Sequence, residues 1–236
     1  MYNFSDSEAI DLKTKRFHSL SISALALCVC SLPATAGVLY SDLGPAGNMY
    51  NTGGGPGVAG SGHNGQSQTV ANMFTVSGSG GFSVSEIDLA VAHAGGLATF
   101  YASIWTDVTG SPGAQIGSDY WSLSTSASTG TCCSLVSITG ITGVTLTGGS
   151  SYFMVLGPLS ASDNSWNLWN FNNQGATGGS QYSHNGGVTW GDFGTTFGSS
   201  AFDVLGDPSV PEPGSLLLLG TGLIGILGIY RRKSKR

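Results

Sequence analysis

Glycine-rich turns that divide the chain into short runs are the feature that most limits its fold. Glycine supplies 38 of the 236 residues and recurs between apolar runs of a few residues. Because glycine costs about 1 kcal/mol at an interior helix position, long helices are disfavoured. Short runs bounded by turn signals are typical of antiparallel sheets. The sequence therefore predicts an all-β fold, an antiparallel β-sandwich with jelly-roll-like connections.

Alternation of apolar side chains is clearest around Phe100. Together with Ala102 and Ile104 it would face one side of a strand, whereas Tyr101 and Trp105 would face the other. The predicted elements are a long Gly-, Asn- and Ser-rich loop over residues 44–68 and strands over residues 38–43, 69–76, 82–92, 97–105, 114–123, 135–138, 143–147, 152–156, 166–171, 188–193 and 201–205.

The distribution of charge excludes several classes of function. No Lys or Arg lies between Arg16 and Arg231, whereas residues 37–210 contain nine acidic side chains and so carry a formal charge of −9. A surface without cations cannot bind a phosphate backbone, which excludes nucleic-acid binding. It also excludes chemistry that needs a guanidinium clamp or an amine nucleophile within this part of the chain.

The N-terminal region has the pattern of a secretory signal peptide. Basic residues at 13–16 precede an apolar run at 20–32, which is followed by Ala34 and Ala36 in an A-x-A arrangement. We therefore expect residues 1–36 to be a signal peptide that is cleaved after Ala36, leaving a secreted domain over residues 37–209.

The C-terminal region has the pattern of a membrane anchor. Residues 214–230 form an apolar run of 17 residues, close to the minimum for a spanning helix. Basic residues at 231–236, beginning with Arg231, Arg232 and Lys233, follow it and would stay in the cytoplasm. One transmembrane helix is predicted, with the preceding domain on the outer side of the inner membrane.

Pro211, Glu212 and Pro213 stand immediately before this apolar run. The tripeptide, the apolar helix and the basic end, which together form residues 210–236, resemble the PEP-CTERM sorting tail of exported Gram-negative bacterial proteins. The resemblance implies export by the Sec machinery, a membrane-anchored intermediate and removal of the tail by an exosortase. The tail also goes by the name of an ice-binding protein's C-terminal domain, but it serves as an address and does not indicate ice binding.

The preceding domain resembles, over short motifs, the exported choice-of-anchor domains that end in alternative sorting tails. The motifs are residues 38–44, 102–107, 110–113 and 202–206. This resemblance implies a β-sandwich and an extracellular address, and it implies no known activity.

The cysteines indicate no metal site. Cys28 and Cys30 would leave with the signal peptide, so that the mature chain keeps Cys132 and Cys133. The alternatives for this pair are a vicinal disulfide, pairing between chains, or two thiols without a structural role. A zinc site would need further ligands at a suitable spacing, which the mature histidines do not offer: His63, His93 and His184.

No catalytic arrangement is recognisable in the sequence. The three histidines do not occupy a nucleophile-elbow or comparable setting, and spacing identifies no pair of carboxylates. Residues 183–190 resemble an Asp-box hairpin with Asn185 in place of the aspartate, which predicts a structural turn with Trp190 as its packing residue. We expect a protein that is not an enzyme and needs no cofactor.

The sequence favours a structural or adhesive role at the cell surface or in the extracellular matrix. The alternative is a carbohydrate-binding module for surface polysaccharide, in which Tyr101 and Trp105 would contact the glycan. The other tryptophans offer flat rings as well, although core packing is the competing interpretation for each: Trp121, Trp166, Trp169 and Trp190.

The absence of Lys and Arg predicts an unusual response to salt. Because residues 37–210 contain no cationic side chain other than histidine, added salt should screen repulsion among the acids and should not weaken ion pairs. The melting temperature of this fragment should therefore stay constant or rise from low to moderate NaCl. A clear fall in the melting temperature would contradict the prediction.

Overall fold

The computed structural model describes residues 36–209. The predicted signal peptide, except Ala36 itself, and the predicted transmembrane helix at 214–230 lie outside the described residues. Within the described part, the protein is all-β with antiparallel sheets and one four-residue helix, which confirms the all-β prediction. None of its helical structure there has the length and apolar character needed to cross a bilayer.

The described chain contains fourteen strands. They are β1 (Gly37–Ser41), β2 (Gly57–Ala59), β3 (Thr69–Thr75), β4 (Gly81–Leu89), β5 (Val91–Gly95), β6 (Thr99–Val108), β7 (Ser111–Ser124), β8 (Val136–Thr139), β9 (Thr145–Thr147), β10 (Ser151–Gly157), β11 (Trp166–Trp169), β12 (Ser180–Ser183), β13 (Gly191–Asp192) and β14 (Phe202–Pro208). Helix α1 (Ser61–Asn64) lies between β2 and β3.

The strands form three antiparallel sheets. A five-stranded sheet has the order β1-β14-β4-β8, with β9 also paired to β4. A six-stranded sheet has the order β13-β12-β3-β10-β6-β7, and a small sheet has the order β2-β11-β5. The strand nearest the predicted signal peptide, β1, pairs with the strand nearest the predicted tail, β14. Both ends of the described chain are therefore held in one sheet.

One large hydrophobic cluster receives side chains from both of the larger sheets. Phe100 and Ile104 reach it from the six-stranded sheet, and Ile87 and Phe202 reach it from the five-stranded sheet. The Phe202 ring lies 5.5 Å from the Trp169 ring, which belongs to the small sheet. The alternation expected around Phe100 is confirmed, because Phe100, Ala102 and Ile104 are fully buried and the side chains between them face away from this cluster.

Buried asparagines link segments that are distant in the chain. Asn72 on β3 accepts hydrogen bonds from the Ser180 hydroxyl (2.7 Å) and from the Ser200 N–H (3.0 Å). Asn170 Nδ2 donates to the Ala90 carbonyl (3.1 Å). Such bonds satisfy backbone and side-chain groups that would otherwise be buried without partners. Neutral amides thus make the connections that ion pairs make in many other proteins.

The prediction of one strand over residues 82–92 is wrong, because two strands of different sheets occupy this segment. β4 ends at Leu89 in the five-stranded sheet, and β5 begins at Val91 in the small sheet. Ala90 lies between them. Its carbonyl accepts a hydrogen bond from the Asn170 N–H (2.8 Å), and its N–H donates to the Ala201 carbonyl (3.2 Å). Four consecutive buried residues around it remove the alternation that would have marked the break.

The predicted loop over residues 44–68 is also partly wrong. It contains β2 and α1, and β2 becomes a strand by pairing with β11. β12 has the polar sequence SQYS and was not among the predicted strands, but it pairs with β3 over four residues. Of the predicted strand at 188–193, only Gly191 and Asp192 are paired. In each case the pairing partner, and not local hydrophobicity, determines the strand.

The packing of the core predicts that truncating Phe202 lowers the free energy of unfolding by a large amount. Its ring contacts three other aromatic rings, those of Tyr40, Phe74 and Trp169. Phe202→Ala should lower the free energy of unfolding by about 3–5 kcal/mol, because it removes buried area and leaves a cavity. Val188→Ala, at a position that is 79% exposed, should change it by less than about 0.5 kcal/mol. Denaturant unfolding of residues 37–209 measures both; similar values would contradict this account of the core.

Candidate functional site

The outer face of the six-stranded sheet carries a layer of aromatic side chains. Ala71, Phe153 and Val155 form a second buried cluster there, and Tyr101, Trp105 and Trp190 pack over it. Both residues of the predicted glycan contact belong to this layer, and the structure places them half-buried on β6. Their role in glycan binding stays a prediction.

Trp105 is fixed by contacts on several sides. Its ring lies edge-to-face with Trp190, with centroids 5.9 Å apart, and its Nε1–H donates to the Ser103 hydroxyl (2.8 Å). Gly187 lies against the same ring, and a Cβ at this position would be 2.9 Å from it. Trp105 therefore has a rigid orientation with only part of its surface open to solvent.

The hairpin that delivers Trp190 is the turn expected from the Asp-box resemblance. Asn185 Oδ1 accepts the Thr189 N–H (2.9 Å), and the Ser183 hydroxyl accepts the Gly187 N–H (2.8 Å). These bonds are internal to the turn, so Asn185 acts as a structural residue here.

Tyr101 packs on Tyr120, with ring centroids 5.3 Å apart, and Gly157 makes room for its ring. Burial raises the pKa of its hydroxyl. Two of the other tryptophans belong to the main core: Trp121 packs against it, and Trp169 is fully buried and donates from Nε1 to the Ala201 carbonyl (3.1 Å). The core interpretation therefore holds for these two rings.

Trp166 is arranged differently, because it lines a surface cleft. The cleft has a volume of about 170 Å³. Trp166 is the first residue of β11, in which Asn167 and Trp169 are buried and Trp166 and Leu168 are half-exposed. The lining residues come from β2, the segment before β3, β11 and the hairpin after β12: Gly57, Ala59, Gln66, Gln68, Trp166 and His184.

One aromatic side chain and two glycines surround the indole of Trp166. His63 on α1 stacks on it, with ring centroids 4.3 Å apart and planes 33° apart. A Cβ at Gly57 or at Gly95, on the two flanking strands, would lie only 3.3 Å or 3.4 Å from an indole atom. Glycine at both positions thus leaves room for the indole between them.

Close backbone packing positions α1 and therefore His63. The Ser61 N–H donates to the Ala161 carbonyl and the Gly62 N–H donates to the Asp163 carbonyl, both at 2.8 Å. A Cβ at Gly62 would lie 2.7 Å from that same Asp163 oxygen, so this approach requires glycine.

Polar groups of the cleft are oriented by the backbone. Gln68 Nε2 donates to the Gly57 carbonyl (2.8 Å). His184 Nδ1 lies 2.9 Å from the Ser67 carbonyl, and since a carbonyl can only accept, Nδ1 carries the proton. Nε2 of a neutral His184 is then an acceptor. The Gln66 side chain is exposed at the edge of the cleft. The cleft combines an aromatic surface with amide and imidazole groups, and none of its lining residues is acidic or basic apart from the histidine.

Cys132 and Cys133 are joined in a vicinal disulfide, one of the states that the sequence left open. Cys133 accepts the Met49 N–H (3.4 Å), and the Tyr50 hydroxyl next to it lies within reach of the Thr131 and Ser134 carbonyls. The pair therefore helps to hold residues 49–50 against the loop before β8. Nowhere in residues 36–209 do three or more His, Cys, Asp or Glu side chains cluster as metal ligands.

A buried carboxyl group lies on the other larger sheet. Asp42 is only 5% exposed, accepts the Phe202 N–H (2.8 Å) and accepts the Tyr40 hydroxyl (3.0 Å). Burial raises its pKa to about 7, although both hydrogen bonds oppose this rise. Asp203 pairs directly with Asp88 across β14 and β4, and burial also raises the pKa of Asp203. No Lys or Arg is available here to stabilise either charge.

Comparison with known proteins identifies the segment that follows β14. Residues 209–233 match the PEP-CTERM protein-sorting motif. The chain carries a PEP-CTERM sorting motif. This motif implies recognition by an exosortase and export toward the cell surface. The motif begins at Ser209, directly after β14 ends at Pro208, and the Ser209 N–H donates to the Gly81 carbonyl at the start of β4 (2.8 Å).

Solved structures resemble the chain only distantly. One holds the cysteine protease and lectin-like domains of Cwp84, a surface layer associated protein of Clostridium difficile, at 15% identity and a TM-score of 0.42, covering 61% of this chain. Another is the clostridial protease Cwp84 after propeptide cleavage, at 14% identity and a TM-score of 0.42, covering 65%. The chain spans 32% and 38% of those two structures. No curated protein matches it.

The sequence does not predict the cleft, although Trp166 is among the candidate rings. His63 precedes Trp166 by 103 residues, and His184 follows it by 18 residues. The two glutamines of the cleft, Gln66 and Gln68, fall in the segment that the sequence predicts to be a loop. No spacing within one segment could reveal the site, because pairing of β11 with β2 creates it.

The buried carboxyl group makes stability depend on pH. The pKa of Asp42 in the folded state exceeds its ordinary value of 3.8, so the folded state favours the protonated form. Its stabilising contribution is complete below about pH 4 and is lost as the pH rises through about 7. At about 1.4 kcal/mol per pKa unit, unfolding free energy should fall by a few kcal/mol. Asp42→Asn should remove most of this fall, as measured by denaturant unfolding of residues 37–209 across pH.

Asp192→Asn is the matched control, because exposed Asp192 also accepts one backbone N–H, from Gly194. It should keep the pH dependence of the original chain. An Asp42→Asn variant with an unchanged pH profile would show that Asp42 is not the group responsible.

Proposed function

We propose that the chain is an exported protein that exosortase sorts to the cell surface or extracellular matrix, where it has a structural or adhesive role without catalysis. The observation that carries this proposal is the PEP-CTERM motif at residues 209–233. Because β14 ends at Pro208, cleavage near Pro211, Glu212 and Pro213 would leave every described strand intact. Residues 214–230 would hold the intermediate in the inner membrane, with Arg231, Arg232 and Lys233 inside.

The proposed unit of function is a jelly-roll-like β-sandwich over residues 37–209. Its support is the single hydrophobic cluster to which both larger sheets contribute, together with the pairing of β1 and β14. A domain whose two ends are fixed in one sheet suits a signal peptide removed on one side and a sorting tail removed on the other.

The surface and the disulfide support a role outside the cytoplasm. A formal charge of −9 without Lys or Arg keeps such a domain soluble and away from anionic polymers. A vicinal disulfide between Cys132 and Cys133 is compatible with an oxidising compartment. These properties suit a domain that remains at the cell exterior.

Absence of catalysis is part of the proposal, and the histidines support it. His63 stacks on Trp166, His93 lies 3.0 Å from the Gly96 carbonyl, and His184 contacts the Ser67 carbonyl. Each has a structural contact, and among the hydrogen bonds of the described residues none joins a histidine to a serine hydroxyl or a carboxylate. A triad needs both of those contacts.

The second candidate function is a carbohydrate-binding module. Two observations favour it: the half-exposed aromatic layer that contains Tyr101 and Trp105, and the uncharged aromatic cleft at Trp166. Aromatic rings beside amide groups suit the apolar faces and hydroxyl groups of sugars. An adhesive protein of the cell surface would use such a module to bind surface polysaccharide.

Intact mass of the exported protein tests the proposed sorting. In the native host with active exosortase, the exported form should lack residues 231–236, whereas deletion of the exosortase should leave the full tail in the membrane fraction. Replacing Pro211 and Pro213 together by Ala should have the same effect as the deletion. Glu86→Gln, a change on β4 far from the tail in sequence, is the control and should be processed normally. An exported form that still carries Arg236 would contradict sorting.

A further inference from the structure

We propose that the cleft beside Trp166 binds one ring of a neutral saccharide, as part of a surface polysaccharide. This inference deepens the proposed adhesive role and rests on the export of the chain. The cleft lies between β2, β11 and the hairpin that follows β12, apart from the aromatic layer around Trp105. Its ligand class follows from the aromatic surface, the polar groups, the charge and the size of the cleft.

The aromatic surface is fixed before any ligand binds. Trp166 is held by pairing of β11 with β2 and β5 and by stacking of His63. The glycines at positions 57 and 95 leave room for the ring, which His63 contacts on one side and which is half-buried. A rigid indole loses little conformational freedom on binding, which lowers the entropic cost of contact with the C–H face of a sugar ring.

The polar groups around the indole include both donors and acceptors. Gln66 and Gln68 each carry an amide, and Nε2 of neutral His184 is an acceptor whose orientation the Ser67 carbonyl fixes. A sugar hydroxyl donates one hydrogen bond and accepts others, so a mixed set of this kind suits it. A purely apolar ligand would leave these groups without partners, at a cost in affinity.

The charge of the domain favours a neutral sugar over an acidic one as the ligand. A uronic acid or sialic acid would need a cation to hold its carboxylate, and residues 37–210 contain neither Lys nor Arg. The net negative charge would repel such a polymer further. The ligand class is therefore a neutral hexose or pentose unit.

The size of the cleft limits the contact to one unit. Its volume of about 170 Å³ is below the range of about 300–1,000 Å³ that is common for drug-sized ligands. A single site of this size binds weakly, and retention on a polymer would come from repeated units of the polymer and from many copies of the protein on one surface.

Affinity electrophoresis of the exported protein tests the inference. Variants are recovered from the extracellular fraction of the native host and run in gels that contain hydroxyethyl cellulose, galactomannan, dextran or the anionic polymer alginate. The unchanged protein should be retarded in at least one neutral gel and not in alginate. Trp166→Ala should lower the apparent association constant roughly tenfold or more.

Two further variants separate binding from folding. His184→Ala and Gln66→Ala alter exposed side chains and should weaken retardation several-fold, while the melting temperature should fall no further than in His93→Ala. His93→Ala is the matched control: it also replaces a histidine whose ring nitrogen contacts one backbone carbonyl, but it does not line the cleft. It should be retarded like the unchanged protein.

Each other outcome overturns the inference. Absence of retardation in every neutral gel would show that the cleft binds no such polymer, and preferential retardation in alginate would show that the ligand is not neutral. Retardation that survives both Trp166→Ala and His184→Ala, but is lost in Trp105→Ala, would move glycan binding to the aromatic layer. None of these results changes the mass of the exported form, so failure of the sorting proposal remains separately detectable.

Discussion

The complete lack of Lys and Arg between Gly37 and Ser209 is the constraint on which the remaining structure depends. Without cations, the domain cannot neutralise a buried carboxylate or connect its sheets by ion pairs. Its buried polar connections are instead neutral, as in the bonds of Asn72 to Ser180 and Ser200. Burial raises the pKa of Asp42, although its carboxyl accepts hydrogen bonds from a tyrosine hydroxyl and a backbone N–H. Neutral hydrogen bonds and a shared aromatic core therefore hold the sheets together.

The same constraint shapes the surface that is available for recognition. A domain of net negative charge without cations has few ways to attract a ligand by long-range electrostatics, so recognition must depend on close contact. Two aromatic regions offer such contact. In the layer around Trp105 the rings pack over a buried cluster of the sheet, whereas Trp166 is half-buried beside amide groups in a cleft and is flanked by two glycines. Glycine thus serves both the turns of the fold and the opening of the cleft.

The sorting motif and the domain are separate in sequence and in role. β14 ends at Pro208, and the motif begins at residue 209. Pro211 and Pro213 lack backbone N–H groups and disfavour continuation of β14 as a paired strand. Under the proposed sorting, removal of the tail near these prolines would leave the pairing of β14 with β1 and β4 intact.

The sequence by itself determined the fold class, the charge and the address. The alternation around Phe100 assigned core and outer faces correctly because side chains of a strand alternate whatever its partners are, and a sorting motif is a local signal. Only the tertiary structure decided where strands such as β2 and β12 form, since their polar or very short sequences become strands through pairing with β11 and β3. It also divided residues 82–92 between two sheets. The cleft and the raised pKa of Asp42 depend on burial and on contacts among segments far apart in the chain, which no local pattern encodes.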